Sequence, residues 1–355
     1  MKKIMRNEAS NRESNFELLR IICMLLIVGH HFAVHGETDY LSQNIGLNKV
    51  ILQLLEFGGK LGVNLFVLVT GYFTVRSDFK IIKCVKLLLH ITFYSVLMLV
   101  LAAANGLSIN LWYIFINIFP VLSSTYWFAT TYFVLYLLSK YINLGITSLD
   151  KKALLELIVL LTVICSILPS FTGFYMVSSD LVWFILLYLI GAYIRIYPPK
   201  IAEKVKIWMG VLLYILSFST VIILDLLGEA LSSTSLLEGA NYWGEMDRVT
   251  MLACAVILFI GFRNKKIKKS KIINWISAST FGVYLIHDNL FVKDFLWHNL
   301  FKNSRFYDSA LYFLYVLLCI LCVYLICVLI DSGYRFLIER PIMQFLAQSQ
   351  NKLRK

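Results

Sequence analysis

Residues 18–34 read LLRIICMLLIVGHHFAV, an apolar run interrupted by one arginine and two histidines. A helix needs about 20 predominantly apolar residues, with a range of about 17–25, to cross the hydrocarbon core of a bilayer. The run is therefore long enough to form a transmembrane helix. Its ionisable side chains Arg20, His30 and His31 are costly inside a membrane, and such residues usually have a function.

The composition of the whole chain is typical of a membrane protein. Its 355 residues are 59% hydrophobic and 15% charged, and the mean hydropathy is +0.75. Soluble domains carry about 25% charged residues, so this chain has too little polar surface to cover a water-facing globule. Collagen-like, coiled-coil and disulfide-framework classes are excluded as well. We expect a multi-pass, all-α integral protein of the cell membrane, with lysine and isoleucine usage that favours a bacterial source.

Nine further apolar segments bring the predicted count to about ten transmembrane helices. The predicted spans are 18–34, 61–75, 84–104, 126–141, 153–168, 181–197, 207–227, 249–262, 272–290 and 309–333. Residues 111–122 are also apolar, but the segment is short and contains Pro120. We expect it to be re-entrant or to lie in the membrane interface.

The distribution of positive charge tests this count independently. Of the 33 lysines and arginines, 26 fall in the termini and alternate loops, six fall in the opposite loops, and Arg20 lies within the first span. Lysine and arginine accumulate in cytoplasmic loops, so both termini are predicted to be cytoplasmic. The same asymmetry explains the net charge of +12 without a nucleic-acid partner.

The chain is predicted to form one membrane unit. Residues 1–345 make a single transmembrane domain, and residues 346–355 make a short basic cytoplasmic tail. No cleavable secretory signal is expected, because the first span contains ionisable residues and lacks a clear small-residue cleavage site. The seven cysteines lie in or beside apolar segments and are expected to be buried thiols. The residues leave the oligomeric state open, with a homo-oligomer as one alternative.

Two ionisable residues of the first span fall on one helix face. Arg20 and His31 are 11 residues apart, which is close to a whole number of turns and a rise of about 16 Å. Taken singly, Arg20 could snorkel to the interface and His31 could be satisfied by a neighbouring helix. Together, with His30 beside them, they favour a functional site. His31 and His35 have the spacing of metal ligands, but no carboxylate or cysteine partner is evident, so no metal is expected.

Three later segments add polar and aromatic residues to the apolar background. They are GVNLFVLVTGYF at 62–73, YWF at 126–128 and STFGVYLIHD at 279–288. Structure alone could require the first, because small residues permit close helix contact. The second could be an interfacial aromatic belt.

Together these segments resemble the membrane acyltransferase 3 family. In that family the first helix has an arginine and a histidine separated by ten residues, and the second helix reads Gly-Val-Pro-Leu-Phe-Phe-x-x-Ser-Gly-Tyr. Its fourth helix has a Trp-Phe pair, its ninth reads Tyr-Leu-x-His, and its last ends near Glu-Lys-Pro. The similar positions, which span about residues 15–341, are Arg20 and His31, residues 62–72, Trp127 and Phe128, Tyr284 to His287, and Glu339 to Pro341.

The resemblance implies transfer of an acyl group, usually acetyl, from cytoplasmic acyl-CoA to hydroxyls of extracytoplasmic glycans or glycolipids. Three features depart from the family pattern. Thr70 replaces a serine, Asn64 replaces a proline, and an Arg-x-x-Arg pair in the first cytoplasmic loop appears as Lys83-Cys-Val-Lys86. Lysine keeps the positive charge but loses the bidentate fork of arginine.

Roles for nine residues follow from this resemblance. His31 and Arg20 are the expected catalytic pair. His31 would act as general base on the acceptor hydroxyl or as a transient acyl carrier, and Arg20 would hold CoA phosphates. The other residues divide between two substrates, with Lys83, Lys86 and Glu339 for acetyl-CoA and His30, Tyr72, Trp127 and His287 for the acceptor.

A transporter or flippase for a glycan or small metabolite is the main alternative function. Ten helices with polar residues near mid-span also fit that class. The sequence lacks the matching broken helices in two repeated halves that mark many transporters. A glycan polymerase is a third alternative, but it would be expected to have a larger outer loop.

Overall fold

The computed structural model describes residues 13–36, 38–41 and 43–353, and all regular secondary structure within these ranges is helical. Four predicted cytoplasmic cations at the amino terminus (Lys2, Lys3, Arg6 and Arg12) and two in the predicted tail (Arg354 and Lys355) lie outside the described residues. The helices are α1 (Ser14–Val34), α2 (Leu47–Thr74), α3 (Ile81–Ala104), α4 (Leu111–Ile118), α5 (Trp127–Ser148), α6 (Lys151–Thr162), α7 (Asp180–Ile196), α8 (Ile207–Ala230), α9 (Thr234–Glu238), α10 (Val249–Asn264), α11 (Lys271–Ser277), α12 (Thr280–His287), α13 (Tyr312–Tyr334) and α14 (Arg340–Leu353).

Within the described residues, six helical segments are long and apolar enough to cross a membrane. Four of them are α1, α2, α3 and α8. The fifth is Lys151–Thr172, in which a π-helical turn (Val163–Ile167) and a short α-helix (Leu168–Thr172) continue α6. The sixth is Tyr312–Leu346, in which a π-helical turn (Arg335–Glu339) joins α13 to α14. The protein is therefore an all-helical, multi-pass membrane protein, as the composition predicts. The count of ten spans and the cytoplasmic position of the termini stay predictions.

The other four predicted spans (126–141, 181–197, 249–262 and 272–290) form helices that are shorter, more polar or divided. Helices α7 and α10 have 17 and 16 residues, and α5 has 22 residues with several polar side chains among the apolar ones. Segment 272–290 is divided into α11 and α12. At the division, Ser279 Oγ accepts a hydrogen bond of 2.8 Å from Arg335 Nη1, so a polar contact lies where a continuous apolar helix was expected. Helix α4 ends before Pro120 and is only eight residues long.

Helices α1 and α2 run in opposite directions through the centre of the bundle. Near the start of α1, the ring of Phe16 lies 5.1 Å from that of Tyr72 near the end of α2. Near the end of α1, His30 Nδ1 lies 2.9 Å from the carbonyl oxygen of Glu56. The bundle thus has two ends, which we name the Arg20 end and the His31 end.

Close backbone contact joins α2 to α7. A Cβ added at Gly71 would lie 2.2 Å from the carbonyl oxygen of Tyr188, and one added at Gly191 would lie 2.3 Å from that of Leu68. Only glycine permits such approach, so the small residues of segment 62–73 serve helix packing in addition to any role in a site.

One fully buried ion pair links α2 to α8. Lys49 Nζ lies 3.1 Å from Asp225 Oδ1, and both side chains are completely shielded from solvent. Gln53 donates a 2.7 Å hydrogen bond to the other oxygen of Asp225, and Lys49 also donates to the carbonyl oxygens of Leu41 and Gln43. The pair therefore holds the segment that follows α1 against the bundle.

Candidate active site

A cavity of about 400 Å³ lies at the His31 end of the bundle. This volume is within the range of about 300–1,000 Å³ that is typical of small-molecule sites. The end of α1, the middle of α2, the start of α5, α12 and the loops near residues 175–179 and 245–247 supply its walls. The cavity is therefore bounded by loops at the same end of the bundle as His31.

His31 lines this cavity and is held by a second histidine. His31 Nδ1 lies 2.9 Å from His287 Nε2, and His287 Nδ1 lies 2.6 Å from the carbonyl oxygen of Val283. A carbonyl oxygen only accepts, so His287 Nδ1 carries a proton and, in the neutral ring, Nε2 is the acceptor. His31 Nδ1 must then be the donor, which leaves the lone pair of His31 on Nε2. The network fixes the tautomer that a general base requires.

A carboxylate completes this histidine cluster. Asp288 Oδ1 lies 3.6 Å from His31 Nδ1 and 3.6 Å from His35 Nε2. The expectation that no metal binds rested on the lack of such a partner, and Asp288 supplies one. The sequence contains the signal, because Asp288 directly follows His287, but only the turn after α12 brings it to α1.

His30 also lines the cavity, although its ring is bonded to α2. His30 Nδ1 donates to the carbonyl oxygen of Glu56 over 2.9 Å. His30 is thereby oriented by the backbone of the neighbouring helix. Its Nε2 is left as the polar atom available to a ligand.

Aromatic side chains form one wall of the cavity. Trp127 lines it and is 39% exposed, so its ring is accessible to a bound molecule. Phe128 and Trp183 also line the cavity, and both are nearly fully buried. Trp183 and Tyr175, a further aromatic residue of the lining, were not singled out in the sequence because nothing marks them apart from the many other aromatic residues.

Acidic side chains lie at the loop side of the cavity. Asp180, Glu245 and Asp247 are among the lining residues, and Lys60 pairs with Glu245 at 3.2 Å. Burial raises the pKa of the Asp247 carboxyl above its ordinary value, and the neighbouring Arg248 guanidinium opposes that rise. The cavity therefore presents carboxylates beside aromatic rings.

Asn64, which stands where the family has proline, ties this wall together. Its side-chain nitrogen donates to the carbonyl oxygen of Met246 over 2.8 Å, and its oxygen accepts from Trp183 Nε1 over 2.9 Å. A proline could make neither bond. The departure therefore has a structural use, because it fastens the 245–247 loop and Trp183 to α2.

Arg20 lies far from this cavity. Its guanidinium pairs with Glu17 at 2.6 Å and stacks 5.7 Å from the ring centroid of Phe73. Glu17 also accepts a 2.5 Å hydrogen bond from Ser277. Arg20 and His31 thus lie toward opposite ends of α1, as their spacing predicts, with a rise of about 16 Å between them.

Tyr72 lies near the Arg20 end instead of beside His31. Its hydroxyl accepts a 2.8 Å hydrogen bond from Arg195 Nη1, and the Arg195 guanidinium lies 4.6 Å from its ring centroid. Tyr72 is absent from the cavity lining. The structure does not bring it together with His30, Trp127 and His287, the other residues predicted to contact the acceptor.

The residues predicted for acetyl-CoA also gather at the Arg20 end. Lys83 and Lys86 occupy the first turns of α3, and both are exposed. Lys86 Nζ lies 2.9 Å from Glu339 Oε1, so Glu339 orients one member of the basic pair.

Comparison with known proteins identifies the family of this chain. The family profile described as an acyltransferase domain matches residues 13–332, a range that includes the whole cavity lining but not Glu339. No curated protein and no solved structure matches the chain. Because the profile covers nearly the whole sequence and the chain is a multi-helix membrane protein, it belongs to the acyltransferase 3 family of membrane acyltransferases.

Proposed function

We propose that the protein transfers an acyl group, most simply acetyl, from cytoplasmic acyl-CoA to a hydroxyl of an extracytoplasmic glycan or glycolipid in a bacterial cell membrane. The observation that carries the proposal is His31, which lines a substrate-sized cavity and whose hydrogen bonds leave Nε2 unprotonated. Family membership supports acyl transfer over transport, since the profile covers the complete cavity.

In the proposed step His31 moves one proton. His31 Nε2 accepts the proton of the acceptor hydroxyl while the hydroxyl oxygen attacks the thioester carbonyl carbon. The carbon–sulfur bond then breaks, and the proton passes from His31 to the departing thiolate. The products are an ester and free CoA, and His31 returns to its starting state. A positioned base of this kind contributes about 10²–10⁴-fold to the rate.

His287 and Asp288 act through His31 and are positioning residues. His287 holds the Nδ1 proton of His31, which keeps Nε2 available as a base. Asp288 places a negative charge 3.6 Å from the ring that becomes positive during the reaction. The arrangement of base, orienting partner and nearby counter-charge is the one that general-base catalysis requires.

The donor nucleotide is assigned to the Arg20 end. Arg20, Lys83 and Lys86 are the cations predicted for its phosphates, and charge-assisted hydrogen bonds to phosphate are among the strongest available. The rise from Arg20 to His31 along α1 is about 16 Å. The pantetheine arm of CoA would extend over that distance, so that the thioester meets His31 while the nucleotide stays at the opposite end.

The acceptor is assigned to the cavity at the His31 end. Aromatic rings such as Trp127 offer flat apolar surfaces to sugar rings, and carboxylates such as Asp180 accept hydrogen bonds from their hydroxyl groups. Neutral or cationic sugars fit this lining better than acidic sugars, because the carboxylates of the lining would repel the negative charge of an acidic sugar.

The test uses membranes that contain the protein and acetyl-CoA labelled in the acetyl group. The measured quantity is the label in the envelope fraction that mild alkali releases, because alkali cleaves O-acetyl esters. His31→Gln is expected to reduce this label at least 100-fold, while the matched control His298→Gln, which changes a histidine outside the cavity lining, keeps it. Acetyl-CoA does not cross membranes, so vesicles of opposite orientation also report which face takes up the donor. Undiminished transfer by folded His31→Gln protein would refute the mechanism.

A further inference from the structure

The cluster at the end of α1 has the donor atoms of a transition-metal site. His31, His35 and Asp288 each direct one ligand atom into the cluster, and these atoms all lie within 4.8 Å of one another. Two imidazole nitrogens and one carboxylate oxygen form a donor set that suits zinc. Among the residues that the structure describes, these three side chains are the group of histidines, cysteines and carboxylates whose ligand atoms are close enough to share a metal ion.

Two distances in this cluster are close to those of tetrahedral coordination. Zinc binds histidine nitrogen and carboxylate oxygen at about 2.0–2.2 Å, so neighbouring ligand atoms of a tetrahedron are about 3.4 Å apart. Asp288 Oδ1 lies 3.6 Å from His31 Nδ1 and 3.6 Å from His35 Nε2. These two separations are within a few tenths of an ångström of the tetrahedral spacing, and the ligand atoms of His31 and His35 lie within 4.8 Å of each other.

A fourth donor lies beside these three. His287 Nε2 is 2.9 Å from His31 Nδ1, and it carries the lone pair of that ring because Nδ1 donates to the carbonyl oxygen of Val283. In the metal-free protein this lone pair accepts from His31 Nδ1, and it becomes available to a metal when His31 Nδ1 loses its proton. Histidines that ligate metals almost always donate the other ring N–H to a carboxylate, a backbone carbonyl or water, and this bond orients the ring.

We infer that His31, His35 and Asp288, with His287 Nε2 as the adjacent fourth donor, form a zinc site at the His31 end of the bundle. The site uses His31 Nδ1, the same nitrogen that donates to His287 in the metal-free protein. Zinc takes the lone pair of that nitrogen, so the ring proton must move to Nε2. Nε2 can then no longer accept a proton.

Zinc is therefore an inhibitor of acyl transfer, a consequence that rests on the proposed role of His31. The binding itself does not depend on that role. His35 distinguishes the two, because it contributes a ligand atom to the site but is not part of the transfer machinery described above.

The binding test uses purified, chelator-treated protein in detergent and zinc alone as the ligand. We expect one tightly bound zinc per chain by competition with a chromophoric chelator. Loss of an outer partner of a metal ligand already costs about 10–100-fold in affinity, so His35→Gln, which removes a ligand itself, should weaken zinc binding by at least that factor. Asp288→Asn should do the same, which keeps the test valid if either variant fails to fold.

His298→Gln is the matched control and should bind zinc like the unmodified protein, since His298 is not part of the cluster. Equal zinc affinity in His35→Gln and unmodified protein would overturn the site, as would an equal loss in His298→Gln. Cobalt provides a second readout, because tetrahedral cobalt absorbs visible light far more strongly than octahedral cobalt. Binding by the seven free thiols would persist in His35→Gln and would also overturn the assignment.

Inhibition is tested separately in the labelled-acetyl assay. Zinc should slow transfer by the unmodified protein, and His35→Gln should resist zinc while it retains its rate in the presence of a chelator. Zinc binding without inhibition would leave the metal site standing and contradict the proposed role of His31 Nε2. If zinc still inhibits the His35→Gln protein, the proposed zinc site is not the cause of the inhibition.

Discussion

The substitution Asp288→Asn removes the negative charge beside His31 with almost no change in side-chain volume. At 3.6 Å, a unit charge pair is worth about 1.2 kcal/mol in bulk water and about 4.6 kcal/mol at an effective dielectric constant of about 20. The side chains of His31 and Asp288 are only 9% and 13% exposed, so the higher value is the nearer one. Since about 1.4 kcal/mol is worth a factor of ten in rate, we expect kcat to fall by about 100- to 1,000-fold.

The assay is the initial rate of alkali-labile ester formation at saturating acetyl-CoA, with a chelator present. The KM for acetyl-CoA should stay unchanged, because its phosphates are assigned to the opposite end of α1. Asp308→Asn, the same substitution at an exposed aspartate in the loop before α13, is the control and should retain the full rate. A kcat within twofold of the unmodified protein, for folded Asp288→Asn, would refute the role of Asp288 as counter-charge.

Two further predictions concern the donor site and the helix packing. The double substitution Lys83→Ala and Lys86→Ala should weaken acetyl-CoA binding. Acetyl-CoA at 100 times its dissociation constant should stabilise the unmodified protein against heat by roughly 2.7 kcal/mol, and the variant should lose this stabilisation. Unchanged stabilisation would place the phosphates elsewhere. Gly71→Ala should destabilise the protein by about 1–3 kcal/mol, because its Cβ would meet the carbonyl oxygen of Tyr188 at 2.2 Å. Gly145→Ala, with no atom within 4 Å of the added Cβ, should instead stabilise α5 slightly, by up to about 1 kcal/mol. Similar melting temperatures for the two glycine variants would contradict the close α2–α7 contact.

The sequence was sufficient for the helical membrane fold and for the positions of three ionisable residues along α1. Apolar length and composition identify membrane helices directly, and the costly ionisable residues Arg20, His30 and His31 stand out against that background. Their assignment to opposite ends of α1 needs only the rise of a helix. The part of the site that lies on a single helix is therefore predictable from spacing.

The rest of the site depends on contacts between distant segments. Tyr72 follows Gly59 on α2 by 13 residues, a rise of about 20 Å, so an antiparallel α2 that places Gly59 beside His30 carries Tyr72 to the other end. The motif that contains both Gly62 and Tyr72 does not indicate that Tyr72 lies away from the His31 end. Asp288 shows the reverse case, because the division of segment 272–290 and the turn after α12 bring it to His31 across 257 positions of sequence.

The buried pair of Lys49 and Asp225 has a consequence for the order in which the protein is synthesised. Gln53 and its partner Asp225 are 172 residues apart, and Lys49 lies further back still. While the ribosome is making the intervening helices, the ammonium group has no counter-charge and must stay in the headgroup region, since a lysine at the centre of a membrane helix costs about 2.5–3.5 kcal/mol. The His31 end of α2 can therefore take its final depth only after α8 has emerged, so that the cavity beside it is assembled late, when most of the chain is already in the bilayer.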